Sequence, residues 1–207
     1  MFRTTLLALT GLLLAPLVVA QPFQEGQHYR VLGQEVDVDD PDRIEVREFF
    51  FYGCPHCHTV QPVIQGWKET RPGDVNFVQT PVVFSRQHEP LARAFYVARA
   101  EGILDEVHMA IFEALHNHNR NLFEADALAD FFTAYDMSRE EFNELYQSFG
   151  VSTQVRQADA KTRAYQISGT PAFTVNGRYV VLRRNLANDR ETFEVIDYLV
   201  ERERERQ

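Results

Sequence analysis

The chain has 207 residues and a formal net charge of −9 at pH 7, and hydrophobic residues make up 44% of it. This composition excludes a disordered protein, and the length is enough for one well-packed domain with an insertion. The acidic balance is spread along the chain and argues against nucleic acid as a partner.

The first twenty residues have the pattern of a secretory signal peptide. Arg3 supplies a positive start, an apolar run follows over residues 6–19, and small residues precede the expected cleavage after Ala20. An uncleaved membrane anchor is the alternative, but the run is shorter than the roughly 20 apolar residues of a span, and Pro16 interrupts it. We therefore expect a soluble, exported protein comprising residues 21–207.

The segment RIEVREFFFY, residues 43–52, predicts a buried strand. It is rich in β-branched and aromatic residues and alternates at its start. Its apolar residues at even positions share one face with Glu48, so an acid falls where only apolar side chains are expected. Glu48 is either an ordinary charged residue at an irregular strand position or a buried acid with a function.

The stretch FYGCPHCH, residues 51–58, holds both cysteines of the chain. A structural disulfide is a weak explanation, because a bridge across two residues closes a very small loop and stabilises little. Cys54, His56, Cys57 and His58 formally make a zinc set, but four ligands within five residues of one helical turn cannot all face one metal. A redox-active pair is the favoured interpretation, and no metal is predicted.

The segment PHCHTVQPVIQGWKET, residues 55–70, predicts a helix with Cys54 as its N-cap, because proline suits the first helical turn. Backbone N–H groups of His56 and Cys57 and the helix dipole then favour a thiolate at Cys54, and the His56 side chain can add a donor or a positive charge. A thiolate is a good leaving group in disulfide exchange, so this loop favours a disulfide donor. Pro62 should kink the helix without ending it.

The central part of the chain changes from strand to helix patterns. VNFVQTPVVF, residues 75–84, predicts a second strand parallel to the first. Four amphipathic helices with turn signals between them are then predicted over residues 89–102, 103–118, 122–136 and 138–150, and a longer helix follows over about residues 152–166. His108, His116 and His118 lie in this region without an i, i+4 spacing, so we interpret them as packing or surface residues rather than metal ligands.

The C-terminal part returns to strands. SGTPAFTVNGRYV, residues 168–180, places Pro171 at a strand start and Asn176-Gly177 between two apolar runs, which is a strong hairpin signal. Residues 188–200 predict a closing helix, and ERERERQ its frayed, solvated end. Four consecutive helices inside a βαβ protein indicate an α/β fold with an inserted helical subdomain.

The strand, the Cys-Pro-His-Cys motif and the helix resemble the active site of thioredoxin-fold oxidoreductases, and EFFFYGCPHCHTVQP resembles the DsbA family closely. The resemblance covers nearly all of the mature chain. It implies a thioredoxin fold with an inserted all-helical subdomain: the thioredoxin parts comprise about residues 28–87 and 151–207, and the insertion about residues 88–150.

The resemblance also implies site residues. Cys54 is the exposed, reactive cysteine and Cys57 the inner one, with Pro55 and His56 between them. In the second motif, Thr170 contacts the substrate backbone and Pro171 is the cis-proline that packs against the disulfide.

In the family, an acid at the position of Glu48 lies beneath the disulfide and carries a proton for the inner thiol. Related proteins often pair this acid with a buried lysine on the neighbouring strand, where the alignment places Gln79. Because Gln79 carries no positive charge, it balances the charge of Glu48 less than a lysine would, and the way in which Glu48 transfers its proton is affected.

The function implied by the resemblance is a periplasmic thiol:disulfide oxidoreductase without a separate cofactor. It donates the Cys54–Cys57 disulfide to reduced, newly exported proteins through a mixed disulfide at Cys54, and a DsbB-like, quinone-linked membrane protein reoxidises it. A disulfide isomerase or reductase on the same fold is the alternative, although no segment for a dimerisation domain is present, so a monomer is expected. A non-catalytic binding protein with the same fold is a further alternative, and its activity would not change when Cys54 is replaced by alanine.

Overall fold

The computed structural model describes residues 22–206. The predicted signal peptide and its cleavage after Ala20 lie outside the described residues. Within residues 22–206, no helix combines the length and the apolar character needed to cross a membrane.

The described residues contain one mixed sheet of five strands in the order β1-β5-β4-β2-β3. The central strand β2 pairs in parallel with β3 and antiparallel with β4, which confirms the predicted parallel pair. The predicted second strand ends at Pro81 rather than at residue 84. The strands are β1 (Tyr29–Val31), β2 (Ile44–Phe50), β3 (Val75–Pro81), β4 (Ala172–Val175) and β5 (Tyr179–Val181).

Seven α-helices accompany the sheet over the same described range: α1 (Pro55–Thr70), α2 (Glu89–Ala100), α3 (Leu104–His116), α4 (Ala125–Phe132), α5 (Arg139–Gln147), α6 (Phe149–Ala164) and α7 (Asp189–Arg204). Helices α2 to α5 lie between β3 and β4 in the chain and form the inserted helical part of the predicted α/β fold. Helix α6 contacts both α2 and β3, so a domain boundary near residue 150 stays a prediction.

Every residue of β2 is buried, because both faces of the sheet are covered. On the face of even positions, Ile44 and Val46 pack into a core with residues of α1 and α7. On the odd face, Arg47 donates hydrogen bonds to Glu45 and Thr80 at 2.6–2.8 Å. A buried guanidinium is tolerated there because its donors are paired.

The β4–β5 hairpin forms at the predicted dipeptide. The backbone N–H of Arg178 donates to the carbonyl oxygen of Val175 at 3.0 Å, and both turn residues have positive φ, 48° at Asn176 and 68° at Gly177. A Cβ at Gly177 would lie 2.0 Å from the carbonyl oxygen of Val36. Glycine is therefore required both by the turn and by the segment that crosses it.

Several helix boundaries differ from the predictions: α6 begins at Phe149 rather than near residue 152, and the helix predicted over residues 122–136 covers only Ala125–Phe132. The predicted helix over residues 138–150 ends at Gln147, because Ser148 is extended and caps α6 by accepting a hydrogen bond from the N–H of Val151 at 3.1 Å. Helix α7 continues to Arg204, so the prediction of a frayed end from residue 201 was wrong for its first turn. Glu203 is buried and accepts a hydrogen bond from the Asn176 side chain at 2.7 Å, which fixes this turn to the hairpin.

Candidate active site

The two cysteines lie where the chain passes from β2 into α1. Cys54 has extended backbone angles and is the N-cap, and Pro55 opens the helix, as the sequence predicted. The helix runs through Pro62 to Thr70 without a break. Cys54 is half-buried and Cys57 is fully buried one turn into the helix. Of the two sulfur atoms, only that of Cys54 is accessible to a thiol of another protein.

The surroundings drive the pKa values of the two thiols apart. Hydrogen bonds from the Cys57 thiol and the Thr170 side chain, and from the backbone N–H groups of Cys57 and His56, lower the pKa of Cys54 to about 5. Burial raises the pKa of Cys57 far above its ordinary value. At neutral pH the reduced site therefore holds a thiolate at Cys54 and a thiol at Cys57. The position of Cys54 at the helix N-terminus predicted the two backbone donors. The hydrogen bond from the Cys57 thiol, which lowers the pKa of Cys54 more, was not predicted.

The second motif lies directly against Cys54. The Cys54 Sγ is 3.5 Å from the carbonyl oxygen of Thr170, and the peptide bond between Thr170 and Pro171 is cis. Pro171 is buried and precedes β4, and its carbonyl oxygen accepts a hydrogen bond from Arg183 at 3.2 Å. The two motifs, which are more than a hundred residues apart, thus form one site.

Glu48 lies on β2 and is fully buried. Its carboxylate accepts hydrogen bonds from the side-chain amides of Gln61 at 3.0 Å and Gln79 at 2.7 Å. The burial outweighs these two donors and raises the pKa of Glu48 to about 7. The same Gln61 amide nitrogen also donates to the backbone carbonyl of Cys57 at 3.0 Å. One amide therefore bridges the acid and the inner cysteine.

Gln79 lies directly opposite Glu48 in the parallel pair of β2 and β3, at the position where the resemblance implies a buried lysine in related proteins. Gln61 was missed, although its position four residues after Cys57 on a helix places the two side chains on one face. No charged partner replaces the expected lysine as a hydrogen-bond donor to Glu48 among the contacts of residues 22–206.

A histidine extends this network. The His108 ring lies with Nε2 2.9 Å from the Gln79 amide nitrogen and with Nδ1 2.9 Å from the Tyr52 hydroxyl oxygen. The prediction of a packing residue describes its burial but not these contacts. His116 bonds the backbone carbonyl of Tyr52, and His118 is exposed. Among residues 22–206, no group of three or more His, Cys, Asp and Glu side chains is arranged to hold a metal ion.

Aromatic side chains lie beside the cysteine loop, where Phe51 and Phe123 pack against the same buried core as Cys54. The Phe51 ring stacks on His88 with their centroids 3.9 Å apart and also contacts Phe123. Phe84 contacts His88 and is 46% exposed. His56 is exposed at the start of α1. The site thus combines a reactive sulfur with apolar side chains and with the cis peptide bond between Thr170 and Pro171.

Comparison with known proteins identifies similar sequences and structures. The family model for the DSBA-like thioredoxin domain matches residues 45–193. The thiol:disulfide interchange protein DsbA of Pseudomonas aeruginosa is 36% identical over 185 residues, which are 89% of this chain and 88% of that protein. The protein of the same name from Bordetella parapertussis is 35% identical over 199 residues, 95% of each chain.

The crystal structure of Pseudomonas aeruginosa DsbA has a TM-score of 0.83 to this structure at 36% identity, covering 88% of this chain and 95% of that one. These matches confirm the predicted thioredoxin fold with a helical insertion. The chain belongs to the family of DSBA-like thioredoxin domains, which are disulfide oxidoreductases.

Proposed function

We propose that this disulfide oxidoreductase works as an oxidase that donates the Cys54–Cys57 disulfide to reduced, newly exported proteins in the periplasm. The observation that carries the proposal is the separation of the two thiols, with the pKa of Cys54 lowered to about 5 and that of Cys57 raised. A site that stabilises its reduced form by holding Cys54 as a thiolate makes its oxidised form a strong electron acceptor.

The reaction begins with the oxidised site. A substrate thiolate attacks the sulfur of Cys54, the Cys54–Cys57 bond breaks, and Cys57 leaves with the electron pair and takes up a proton. A mixed disulfide now joins Cys54 to the substrate. A second substrate thiolate attacks the substrate sulfur of this bond, and Cys54 leaves as its stabilised thiolate. The substrate has lost two electrons and gained a disulfide, and the site is reduced.

Glu48 is the proposed proton donor to Cys57 in the first step, and the base that removes this proton when the site is reoxidised. A carboxyl with a pKa of about 7 is suited to both directions at neutral pH. Its link to Cys57 through Gln61 supports this role.

The exposed side of the site is the proposed substrate surface. The backbone at Thr170, followed by the cis-proline Pro171, offers hydrogen bonds to an extended segment next to the reacting sulfur. The aromatic side chains around Phe51 and Phe84 offer apolar contact without sequence preference. This combination suits unfolded chains of many sequences.

Reoxidation requires an electron acceptor, and a DsbB-like, quinone-linked membrane protein is the proposed partner. The predicted signal peptide and the family support export to the periplasm. We expect the protein to act as a monomer without a separate cofactor.

The redox equilibrium of Cys54 and Cys57 against glutathione tests the proposal. We expect the pair to remain largely reduced in buffers in which oxidised glutathione predominates. A pair that is half-reduced near the potential of thioredoxin, about −270 mV, would overturn the oxidase and support a reductase. Refolding of scrambled ribonuclease would reveal an isomerase.

Matched cysteine variants test the direction of attack. Cys54→Ser should introduce no disulfides into reduced, unfolded ribonuclease. Cys57→Ser should trap a stable mixed disulfide with glutathione, because the resolving thiol is missing. Ribonuclease oxidation by Cys54→Ser at the wild-type rate would exclude the scheme and leave a function that does not involve this sulfur.

A further inference from the structure

A chain of four side chains leads from Glu48 away from the cysteines. Glu48 accepts from Gln79 at 2.7 Å, Gln79 contacts His108 at 2.9 Å, and His108 contacts the Tyr52 hydroxyl at 2.9 Å. The chain joins β2, β3 and α3. The inference drawn from it deepens the proposed function, on which it rests.

The contacts fix one arrangement of protons while Glu48 is ionised. The Gln79 amide nitrogen has two hydrogens, and both are used, one toward Glu48 and one toward His108. His108 Nε2 must then be the acceptor, so its proton is on Nδ1, which donates to the Tyr52 oxygen. Burial lowers the pKa of His108 to about 3, so the ring is neutral at physiological pH.

The same four groups fit a second arrangement when Glu48 is protonated. A carboxylic acid needs an acceptor, which Gln79 provides when its amide turns and presents the oxygen. That oxygen can also accept from His108 if the ring proton moves to Nε2, and Nδ1 then accepts from the Tyr52 hydroxyl. The three hydrogen bonds between neighbouring members of the chain are therefore kept with either form of Glu48, and none of its members changes charge apart from Glu48.

We propose that His108 is a positioning residue which, together with Tyr52, sets the direction of the Gln79 amide and so allows Glu48 both to hold and to release the proton exchanged with Cys57. A lysine at position 79 would stabilise the carboxylate alone. The Gln79–His108–Tyr52 chain supports both forms, because each member can act as donor and as acceptor.

The charges that face Glu48 come from other elements. Lys68 of α1 and Arg183, which follows β5, act on it through space and favour its ionised form. Asp105 of α3 lines a pocket of about 630 Å³ together with Lys68 and His108. Tyr52 also faces Glu48: burial is the larger cause that raises the pKa of the Tyr52 hydroxyl, and the charge of Glu48 raises it further. These charges act on the equilibrium of Glu48, whereas the amide and the ring act on the direction of its hydrogen bonds.

The direct test is ¹⁵N NMR of the His108 ring in the reduced protein, with the carboxyl carbon of ¹³C-labelled Glu48 followed in the same sample. As the pH falls through the titration of Glu48, we expect the His108 proton to move from Nδ1 to Nε2 while the ring stays neutral. A ring that keeps one tautomer throughout, or that becomes charged with the same midpoint, would overturn the inference.

Variants give a kinetic test. In His108→Phe the packing is retained but the ring nitrogens are lost, so Gln79 no longer has a partner for its second hydrogen and the carboxylate form is disfavoured. We expect the pH midpoint for attack of Cys57 on a Cys54–glutathione mixed disulfide to rise by about one pH unit, with a rate about fivefold lower at pH 7. The rate at which Cys54 attacks oxidised glutathione should stay within about twofold.

Two further variants separate positioning from folding. Tyr52→Phe removes the last hydroxyl and should move the same midpoint in the same direction by a smaller amount, so it replaces His108→Phe if that variant does not fold. His118→Phe is the same substitution at an exposed position and should leave both rates unchanged. An unchanged midpoint in both Tyr52→Phe and His108→Phe would contradict the inference. If the wild type oxidised no substrate, the proposed function would fail, and the tautomer measurement would still decide this inference.

Discussion

The two faces of β2 bury charge in opposite ways. Arg47 on one face has its side chain 3% exposed and is bonded at 2.7–2.8 Å to two carboxylates, those of Glu45 and Asp39. Glu48 on the other face is equally buried, but its hydrogen-bond partners are amides. Arg47 is therefore paired with oppositely charged side chains, whereas Glu48, its neighbour on the same strand, is hydrogen-bonded to neutral side chains.

The difference decides whether a buried charge can titrate. Burial alone would lower the pKa of Arg47, but the hydrogen bonds and charges of Glu45 and Asp39 outweigh burial and raise it. Within residues 22–206 no such counter-charge forms a hydrogen bond with Glu48, and its pKa rises to about 7. An ion pair fixes the protonation state of both partners, whereas neutral donors leave it open. The structural charge and the exchangeable proton thus lie on opposite sides of the same strand.

The largest expected effect comes from breaking the ion-paired face. Arg47→Met leaves Glu45 buried without its main partner, so we expect the free energy of unfolding to fall by roughly 3–5 kcal/mol. Urea denaturation at pH 7 measures this. The folded fraction should retain the wild-type titration of Cys54. A loss below about 1 kcal/mol would show that the cluster is not a buried ion pair in solution.

A smaller, pH-dependent effect is expected on the titratable face. A carboxyl whose pKa rises from 4.5 to about 7 on folding binds its proton more tightly in the native state. The contribution of this proton to the free energy of unfolding is fully present below about pH 4.5 and is lost as the pH rises through about 7. The native state is therefore less stable at higher pH, by up to about 3 kcal/mol.

Glu48→Gln removes this dependence. Relative to the wild type, the reduced variant should gain stability between pH 5 and pH 8, by up to about 3 kcal/mol. Parallel stability curves over this range would mean that Glu48 is ionised throughout.

The smallest effect is expected from giving Glu48 a charged partner, as Arg47 has on the other face of β2. Gln79→Lys places a cation opposite Glu48 and should lower the pKa of Glu48 by about one pH unit, equivalent to about 1.4 kcal/mol. Gln79→Leu, which removes the donor, should raise the pKa. Carboxyl ¹³C titrations of the two variants measure both shifts, and shifts of the same sign would contradict the account.

Local chemistry explains which parts of the site the sequence predicted. Cys54 as the N-cap follows from Pro55, and the hairpin follows from Asn176 and Gly177, because each of these features depends on its own neighbours in the chain. Glu48 was recognised because a charged residue at an even position breaks the apolar pattern of β2.

The remaining features depend on distant packing. Tyr52 and His108 are separated by 56 positions, and no periodicity in either segment indicates that they touch. Glu203 lies in a run of alternating charges that is typical of solvent-exposed helix ends, yet its contact with Asn176 buries it. Patterns report which face of an element is buried, and they do not report which polar groups meet there.

The pairing of β1 with β5 has a consequence for the order in which an exported chain can fold. Tyr29 pairs with Val181 at opposite ends of the sequence, and β2, at the centre of the sheet, needs β4 on one side. A chain threaded through a membrane with its N-terminus first delivers β1 early and its partner late. Such non-local contacts form slowly, so Cys54 emerges well before the sheet that surrounds it can close. Under the proposed export, the newly translocated protein passes through a stage at which its own cysteines are those of an unfolded chain.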